Sequence, residues 1–201
     1  MSAYRIEPAY TFGKLLFKGG AGNLTLTTDA NVSGLVRGEF HGPKRPTFTE
    51  HDGTVDVKWP RLWPWHWSKV KSSIALREDV PWAIEFRGGV SRIRGELGRA
   101  TLRAIDVTGG ASEVELELGR PEGICSVRVA GGVSQFTLRR PAGVGVRVRV
   151  KGGASDLSLD SFHFEAIGGL LRWESHGFPE ADAAYDVEIA GGASQIRIAV
   201  A

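Results

Sequence analysis

The sequence predicts an all-β solenoid, a β-helix-like single domain built from stacked coils of about 21 residues. The first observation is that glycine pairs recur along the chain at intervals of 21, 22 and 21 residues, with one more pair 39 residues later, close to two periods. The pairs are Gly88-Gly89, Gly109-Gly110, Gly131-Gly132, Gly152-Gly153 and Gly191-Gly192. The second observation is that apolar residues alternate on both sides of each pair, which predicts strands with one buried face.

The alternation changes phase near each glycine pair. Val127 and Val129 lead in phase to Gly131, whereas Phe136 and Leu138 follow in phase with Gly132. A slip of one residue would normally turn the buried side chains outward. We predict that the slip falls between the two glycines, whose backbone reaches dihedral angles closed to other residues. The serines of the Gly-Gly-x-Ser motif would then point inward and bond to a neighbouring coil; they are Ser91, Ser112, Ser134, Ser155 and Ser194.

A second turn separates one coil from the next. Residues 118–123 and 140–143 contain the glycine and proline that such turns need. Two strands and two bends per period fit one solenoid coil, and coils stack about 4.8 Å apart. The alternative is an antiparallel β-sandwich of successive hairpins. Equivalent positions that recur in register favour the solenoid.

Weaker copies of the pattern extend the prediction to one domain over residues 1–201. Residues 1–81 form irregular N-terminal coils, and residues 82–201 form the regular repeats. Gly19-Gly20 and Gly168-Gly169 are flanked by the same alternation, and Asp52-Gly53 is interpreted as a decayed copy. The phase changes midway through Leu102–Val107, which predicts a β-bulge there.

Composition limits the kind of partner. The 25 basic and 23 acidic residues leave a net charge of +2, which does not indicate nucleic-acid binding. The single cysteine fits a reducing compartment. The N-terminal residues do not resemble a signal peptide, and no apolar run reaches the roughly 18 residues of a membrane span. These observations predict a soluble cytoplasmic protein.

The candidate chemical groups favour structure over catalysis. The five histidines are scattered, so we predict no metal site and no cofactor. Cys125 shares the parity of the buried valines and is interpreted as a small core residue. Glu113, Glu115 and Glu117 form an outward stripe, and an enzyme acting through these carboxylates is the weaker alternative. Stacking would place arginines 92 and 94 beside them as cross-coil ion pairs, so we predict that the protein is not an enzyme.

Basic residues on outward positions form one further candidate patch. Its members are Arg128, Arg147, Arg149 and Lys151. Acidic residues predicted on the neighbouring coils, among them Asp186 and Glu188, interrupt the patch. A stripe that follows a phosphate backbone is therefore not indicated.

A tryptophan-rich segment, residues 59–67, is the candidate partner-binding site. Its residues are Trp59, Arg61, Trp63, Trp65 and Trp67, with Lys69 following. Two prolines exclude a regular central strand. One interpretation is a loop that folds back and caps an end of the solenoid. The other is an exposed aromatic surface for a protein partner, a carbohydrate or a membrane interface.

The glycine corners, the turn at residues 139–146 and the stretch 166–175 together resemble the toastrack-type β-solenoid domains of bacteria. This family includes the C-terminal domains of LiaF-like membrane proteins linked to cell-envelope stress. The resemblance covers residues 82–201 well and residues 1–81 only loosely. It implies a non-enzymatic scaffold or protein-interaction module that acts in envelope-stress signalling, and it transfers no catalytic residue. This chain departs from the membrane-bound members because it has no transmembrane helix.

The C-terminal residues lead to a prediction about assembly. Residues 195–201 carry the alternating pattern to the end of the chain, without a charged or helical cap. An unpaired strand edge is a template for another chain. The sequence therefore predicts self-association, most simply a homodimer.

Overall fold

The computed structural model describes residues 11–42, 45–59, 71–178 and 181–201. In these ranges the protein is built from eighteen β-strands and contains no α-helix. The strands form two sheets, A and B, of nine strands each. The apolar side chains of both sheets form one continuous core.

Sheet A contains, from one end to the other, β16 (Leu171–Glu174), β13 (Gly145–Val150), β17 (Ala184–Ile189), β11 (Ile124–Val129), β9 (Leu102–Val107), β7 (Trp82–Arg87), β1 (Gly13–Lys18), β5 (Thr54–Lys58) and β4 (Thr47–His51). Sheet B contains, in the matching order, β15 (Phe162–Ile167), β14 (Ala154–Leu159), β18 (Ala193–Val200), β12 (Val133–Arg140), β10 (Ala111–Leu118), β8 (Val90–Leu97), β2 (Ala21–Asp29), β6 (Lys71–Arg77) and β3 (Val36–His41).

Each rung of the stack is one strand of sheet A, a corner and one strand of sheet B. Neighbouring rungs pair in parallel, for example β10 with β12, and equivalent motif residues such as Ser112 and Ser134 face each other in register. The pairing is parallel everywhere except at the two ends. The solenoid prediction is confirmed, and the antiparallel sandwich is the wrong alternative.

The stack does not follow chain order. The β1/β2 rung lies between β5/β6 and β7/β8, and the β17/β18 rung lies between β11/β12 and β13/β14. Antiparallel strands close both ends: β3 and β4 at the N-terminal end, and β15 and β16 at the C-terminal end. The last strand, β18, is therefore internal. The sequence argument for self-association placed the open edge at this strand, and that premise is wrong.

The inner faces of the strands carry the core, as the alternation predicts. Ile84 and Phe86 of β7 are buried, and the Phe86 ring stacks on Phe17 of β1 with 4.6 Å between ring centroids. Burial of one such side chain stabilises the fold by about 1.5–3 kcal/mol. The stack is therefore held mainly by apolar contacts between successive rungs.

The phase change lies two residues later than the sequence analysis places it. After most corners the first residue, such as Ala111, is buried, and the motif serine is exposed or half-exposed. The next residue takes the left-handed conformation, with φ of 52° at both Glu113 and Gln135, and the strand ladder skips it on both strands. This left-handed residue resets the phase of each sheet B strand of the repeat without a shift in register between rungs. The prediction that the serines point inward is wrong.

Some corner glycines use the backbone freedom that the sequence predicts, with φ of 144° at Gly88 and 78° at Gly153, but others serve a different purpose. A Cβ atom on Gly109 would lie 2.5 Å from the backbone nitrogen of Gly89, and one on Gly131 would lie 2.7 Å from that of Gly110. Neither Gly109 nor Gly131 has a positive φ. Glycine is needed at these positions because successive corners approach too closely for any side chain.

Two minor predictions have opposite outcomes. The pairing of β7 with β9 shifts register beside Arg103, so the bulge predicted within Leu102–Val107 is confirmed. Asp52-Gly53 is not a decayed corner. It joins the antiparallel strands β4 and β5, and both residues have positive φ, 46° and 76°, as the twist of a tight hairpin requires.

Candidate interaction surfaces

The structure describes one of the six predicted partner-binding residues. Trp59 is only 7% exposed, and its ring meets Phe40 edge-on with 5.8 Å between centroids. Phe40 in turn contacts Phe48, with 5.2 Å between centroids. Trp59 therefore belongs to a closed aromatic cluster at the N-terminal end, as the capping interpretation predicts for this residue. Arg61, Trp63, Trp65, Trp67 and Lys69 lie outside the described residues.

The topology places the tryptophan-rich segment at a corner. Strand β5 ends at Lys58 in sheet A, and β6 begins at Lys71 in sheet B. In each of the other six rungs a glycine pair occupies this connection. Residues 59–70 therefore connect the two strands of the rung nearest the N-terminal end.

The stacked corners form a glycine edge, defined here as the six glycine pairs with the motif serines beside them. Two shallow grooves of about 510 and 420 Å³ lie along it, the first lined by Gly19, Gly89 and Gly110 and the second by Gly152 and Gly192. Strand stacking sets one serine hydroxyl about every 4.8 Å along this edge. The edge is a smooth surface of backbone and small side chains.

The C-terminal end carries two of the five large apolar side chains that are exposed among the described residues. Phe162 is 55% exposed and Leu170 is 50% exposed. Phe164, Ile167 and Trp173 pack against the core but stay partly exposed. The inward side chains of β15 and β16 form the last layer of the core at this end, and no described residue covers the outer side of that layer.

The sequence analysis missed this surface because it interpreted residues 164–173 as one more corner. A hairpin signal precedes it, since Asp160-Ser161 separates two alternating runs. Asp160 has φ of 51°, which suits a two-residue hairpin turn. Weighting that signal against the glycine pair would have predicted an antiparallel end strand.

A buried ion pair ties this end to the body of the solenoid. The guanidinium of Arg140 donates to both carboxylate oxygens of Asp160, at 2.8 and 2.7 Å. The Arg140 side chain is only 4% exposed. The backbone nitrogen of Asp160 also donates to the carbonyl of Ile198. The turn between β14 and β15 is thereby fixed by a bidentate, charge-assisted contact.

The outer edges of β15 and β16 carry charges of both signs. His163 and Glu165 flank Phe164 on β15, and Arg172 and Glu174 flank Trp173 on β16. The charged members of both strands are exposed. Because these strands are the last of their sheets, one side of each backbone lacks a paired strand in the described structure.

The outer face of sheet A near this end carries a ladder of ion pairs. Asp186 binds Arg147 at 2.7 Å and Arg149 at 3.0 Å, and Glu188 binds Arg149 at 3.1 Å and Lys151 at 2.7 Å. Burial acts to raise the pKa of the Asp186 carboxyl. The hydrogen bond and charge of Arg147, with those of Arg149, outweigh burial and lower the pKa below its usual value. The basic patch is therefore neutralised by its own acidic neighbours.

One carboxylate of the predicted stripe, Glu115, is held in an ion pair in the same way. Glu115 lies beside Arg94 in register and accepts a hydrogen bond from Arg139. That hydrogen bond is the main reason why the pKa of Glu115 is lowered. A general acid needs a raised pKa to hold its proton near neutral pH. Glu115 is thus poorly suited to the enzymatic alternative.

Two buried groups with reactive side chains are also structural. Cys125 is buried in the core, and burial raises the pKa of its thiol to about 12. The hydroxyl of Tyr185 donates to the carbonyl of Gly119 at 2.6 Å, and burial raises the pKa of Tyr185. A thiol that stays protonated is a weak nucleophile. Cys125 is a core residue, as its parity predicts.

Within residues 11–42, 45–59, 71–178 and 181–201, no three His, Cys, Asp or Glu side chains are grouped as metal ligands. In the same ranges no helix has the length and apolar character needed to cross a membrane.

Comparisons with known proteins agree with the fold. The crystal structure of a "putative cell adhesion protein" from Clostridium sporogenes superposes with a TM-score of 0.70 over 95% of this chain and 93% of that one, at 18% identity. No curated protein matches the sequence. The family model described as the N-terminal domain of toast_rack, DUF2154, matches residues 11–139. That range includes most of the N-terminal third, which by sequence resembles the family only loosely. More than half of the chain fits the model, so the protein belongs to the toast_rack family.

Proposed function

We propose that this protein is a non-enzymatic interaction module, a rigid scaffold that binds a protein partner through its C-terminal end. The exposed apolar surface of Phe162 and Leu170 carries the proposal. Soluble proteins rarely leave clustered large apolar side chains at the end of an ordered core unless another surface covers them. The Arg140–Asp160 pair holds this surface in one conformation, which lowers the entropic cost of binding.

The state of the charged groups supports a binding role over catalysis. The acidic side chains of the sheet A ladder and Glu115 sit in ion pairs that keep them ionised. Cys125 and Tyr185 are buried and protonated. These polar groups hold rungs together, whereas Phe162 and Leu170 at the C-terminal end remain exposed.

For the biological setting we propose cell-envelope-stress signalling, with the domain facing the cytoplasm. Support comes from membership of the toast_rack family together with the resemblance of the corners to LiaF-like proteins. The name of the clostridial structure, which refers to cell adhesion, agrees with a binding role. A strain without this protein should respond abnormally to cell-wall antibiotics. An unchanged response would contradict the setting but not the binding role.

The binding role is tested by capture from a lysate of the producing cells. The bait variant Phe162→Ser/Leu170→Ser removes the apolar end surface. Ile124→Ser is the matched control, because Ile124 is 62% exposed but lies at the start of β11, in the middle of the stack. Wild type and control should retain the same partner, and the end variant should lose it. Equal capture by all three baits would overturn the proposal.

A second candidate function is binding to a carbohydrate or a membrane surface through the tryptophan-rich segment. The observation that favours it is the connection that the segment makes: it joins β5 to β6, and in the other six rungs a glycine pair makes the equivalent connection. Trp59 itself is buried and is excluded from the contact. The proposed contacts are Trp63, Trp65 and Trp67, with Arg61 and Lys69 beside them.

This candidate is tested by cosedimentation with anionic liposomes and with insoluble cell-wall glycan. Replacement of Trp63, Trp65 and Trp67 by alanine should abolish binding. The Phe162→Ser/Leu170→Ser variant should bind normally, because it alters only the opposite end. A wild-type protein that stays in the supernatant with both materials would refute the candidate.

A further inference from the structure

We propose that the partner at the C-terminal end is a second copy of this chain, joined edge to edge through β15 and β16 about a two-fold axis. The proposal rests on the proposed function, and it names the occupant of the same surface. Three features support it: the order of polar and charged side chains on the two end strands, the distance of the two pairing centres from the corner, and the contrast with the opposite end.

The charges on β16 are self-complementary, and within its own chain Glu174 has a long contact with Arg147, at 3.9 Å. When two copies of Leu171–Glu174 pair in antiparallel fashion about Trp173, Arg172 of each copy stands opposite Glu174 of the other. Opposite charges directly across an antiparallel pair stabilise it, and like charges destabilise it. The two Trp173 rings, which point to the core side with Val148 as their in-register neighbour, would meet at the axis.

The polar side chains on β15 follow the same order. Antiparallel pairing of two copies about Phe164 places His163 of each copy opposite Glu165 of the other, where a ring N–H can donate a hydrogen bond to the carboxylate. Phe162 and Phe164 would then lie against the inward side chains of the second copy. The core would continue across the junction, and the surface left open in one chain would be covered.

One two-fold axis can serve both sheets. Trp173 is in register with Val148, and Phe164 is in register with Leu157. Val148 precedes Gly152 by four residues, and Leu157 follows Gly153 by four. The two pairing centres therefore lie at similar distances from the corner, one on each sheet. A closed two-fold contact of this kind stops at two copies.

The N-terminal end does not offer the same contact. On β3, Arg37 and Glu39 flank Gly38 in a similar order, but Arg37 is held by Asp29 at 2.6 Å. Strand β4 has no opposite charges in this arrangement, since its charged residues are Glu50 and His51 in sequence. The C-terminal end is thus distinguished by a self-complementary order of polar side chains on both end strands, with opposite charges on β16.

The experiment is a charge exchange followed by sedimentation equilibrium of the full chain. Arg172→Glu places two carboxylates opposite each other across the junction, and Glu174→Arg places two guanidiniums there. Each single variant should raise the dimer dissociation constant by about tenfold or more. The double variant Arg172→Glu/Glu174→Arg should restore dimerisation.

Mixing the two single variants sharpens the result. A heterodimer of Arg172→Glu with Glu174→Arg pairs opposite charges at both positions, so the mixture should dimerise when neither component does alone. Lysine in place of Ile124 provides a surface control that should dimerise like wild type. Thermal unfolding of each variant shows that the fold is intact.

Three outcomes would overturn the proposal. The first is a wild-type chain that stays monomeric at about 100 μM, a concentration far above a micromolar dissociation constant. The second is an unchanged dissociation constant in both single variants, and the third is assembly into particles of more than two copies. If the wild type is monomeric while the Phe162→Ser/Leu170→Ser bait still loses a captured protein, self-pairing fails and the proposed function stands.

Discussion

At the N-terminal end, Trp59 meets Phe40 edge-on, and Val32 and Leu35 of the loop that leads to β3 are buried. At the C-terminal end, Phe162 meets Trp173 edge-on, with 6.3 Å between ring centroids, and is 55% exposed. Both ends use the same device, one antiparallel strand on each sheet. The difference teaches that antiparallel pairing terminates the backbone ladder but does not by itself cover the apolar layer.

The end strands also show two ways of joining a cap to parallel rungs. At the N-terminal end the chain makes the inner rung β1/β2, then the cap, then the outer rung β5/β6. At the C-terminal end it makes the outer rung β13/β14 first, then the cap, and returns through the inner rung β17/β18. The first and last described rungs therefore each have neighbours on both sides, and neither β1 nor β18 is a sheet edge.

The largest expected effect of a single substitution is on the closed end. Trp59→Ala removes a 7% exposed side chain from the aromatic cluster and should lower the free energy of unfolding by about 4 kcal/mol. Phe162→Ala is the matched change at the open end and should cost less than about 1 kcal/mol, because that ring is already mostly hydrated. Chemical denaturation measures both. Equal losses would mean that the two ends are covered to the same degree.

A second comparison sets a corner in the middle of the stack against the corner at its open end. Gly131→Ala should destabilise by about 3 kcal/mol, because the new Cβ would meet the backbone of Gly109 and Gly110 at 2.7–2.8 Å. Gly168→Ala alters the corner between β15 and β16, where a Cβ meets no atom within 4 Å and φ is not positive. It should be neutral or slightly stabilising. A similar loss at both sites, measured by denaturation, would contradict the close-approach explanation.

A third comparison concerns the ion pairs that hold the end turns. Arg140→Ala leaves Asp160 without its bidentate partner in a largely buried site and should cost about 2 kcal/mol. Arg37→Ala breaks a solvent-exposed pair with Asp29 at the other end and should leave the unfolding midpoint unchanged within error. Hydrogen exchange should also quicken in β15 of the first variant alone. Protection that stays unchanged in β15 would show that the pair does not anchor this strand.

The repeat period and the inward valines were enough to predict the rungs, since alternation and in-register recurrence depend only on local pattern. The location of the phase change was not predictable in the same way. A phase change between the two glycines and a phase change at the left-handed residue Glu113 both fit the same alternation of apolar residues. Only the packing of successive corners on one another decides between the two locations.

Order in the stack and the ends of the solenoid lie beyond the pattern for a different reason. The β17/β18 rung carries the same Gly-Gly-x-Ser motif as its neighbours, so its motif does not say which rung it lies beside. The cap strands follow from hairpin turns at Asp52 and Asp160, which compete with nearby glycine signals. For the candidate site, the tryptophan content indicated residues 59–67. The exposure of Phe162 was not predictable from local pattern, because it depends on whether another part of the chain packs over that end.

The smallest expected effect is on acid stability, and it again contrasts the two ends of sheet A. Near the C-terminal end, Arg147 and Arg149 hold Asp186 ionised. Nearer the N-terminal end, Arg87 and Lys14 hold Glu85 ionised. The pKa of each carboxyl therefore lies below its usual value. Stability from a lowered pKa is present above the unfolded-state value, close to pH 4, and disappears as pH falls through the folded-state value.

Asp186→Asn should therefore destabilise the protein at pH 6 and progressively less below about pH 4, so that the wild-type and variant unfolding curves converge in acid. Glu85→Gln should show the same convergence with a smaller difference at pH 6, because the Asp186 side chain is less exposed, 15% against 20%, and contacts two guanidiniums rather than one. Urea denaturation at pH 6, 4 and 3 measures both differences. Curves that stay parallel across this range would show that neither ion pair contributes to the folded state, and a larger effect at Glu85 would reverse the assignment of the stronger ladder to the C-terminal end.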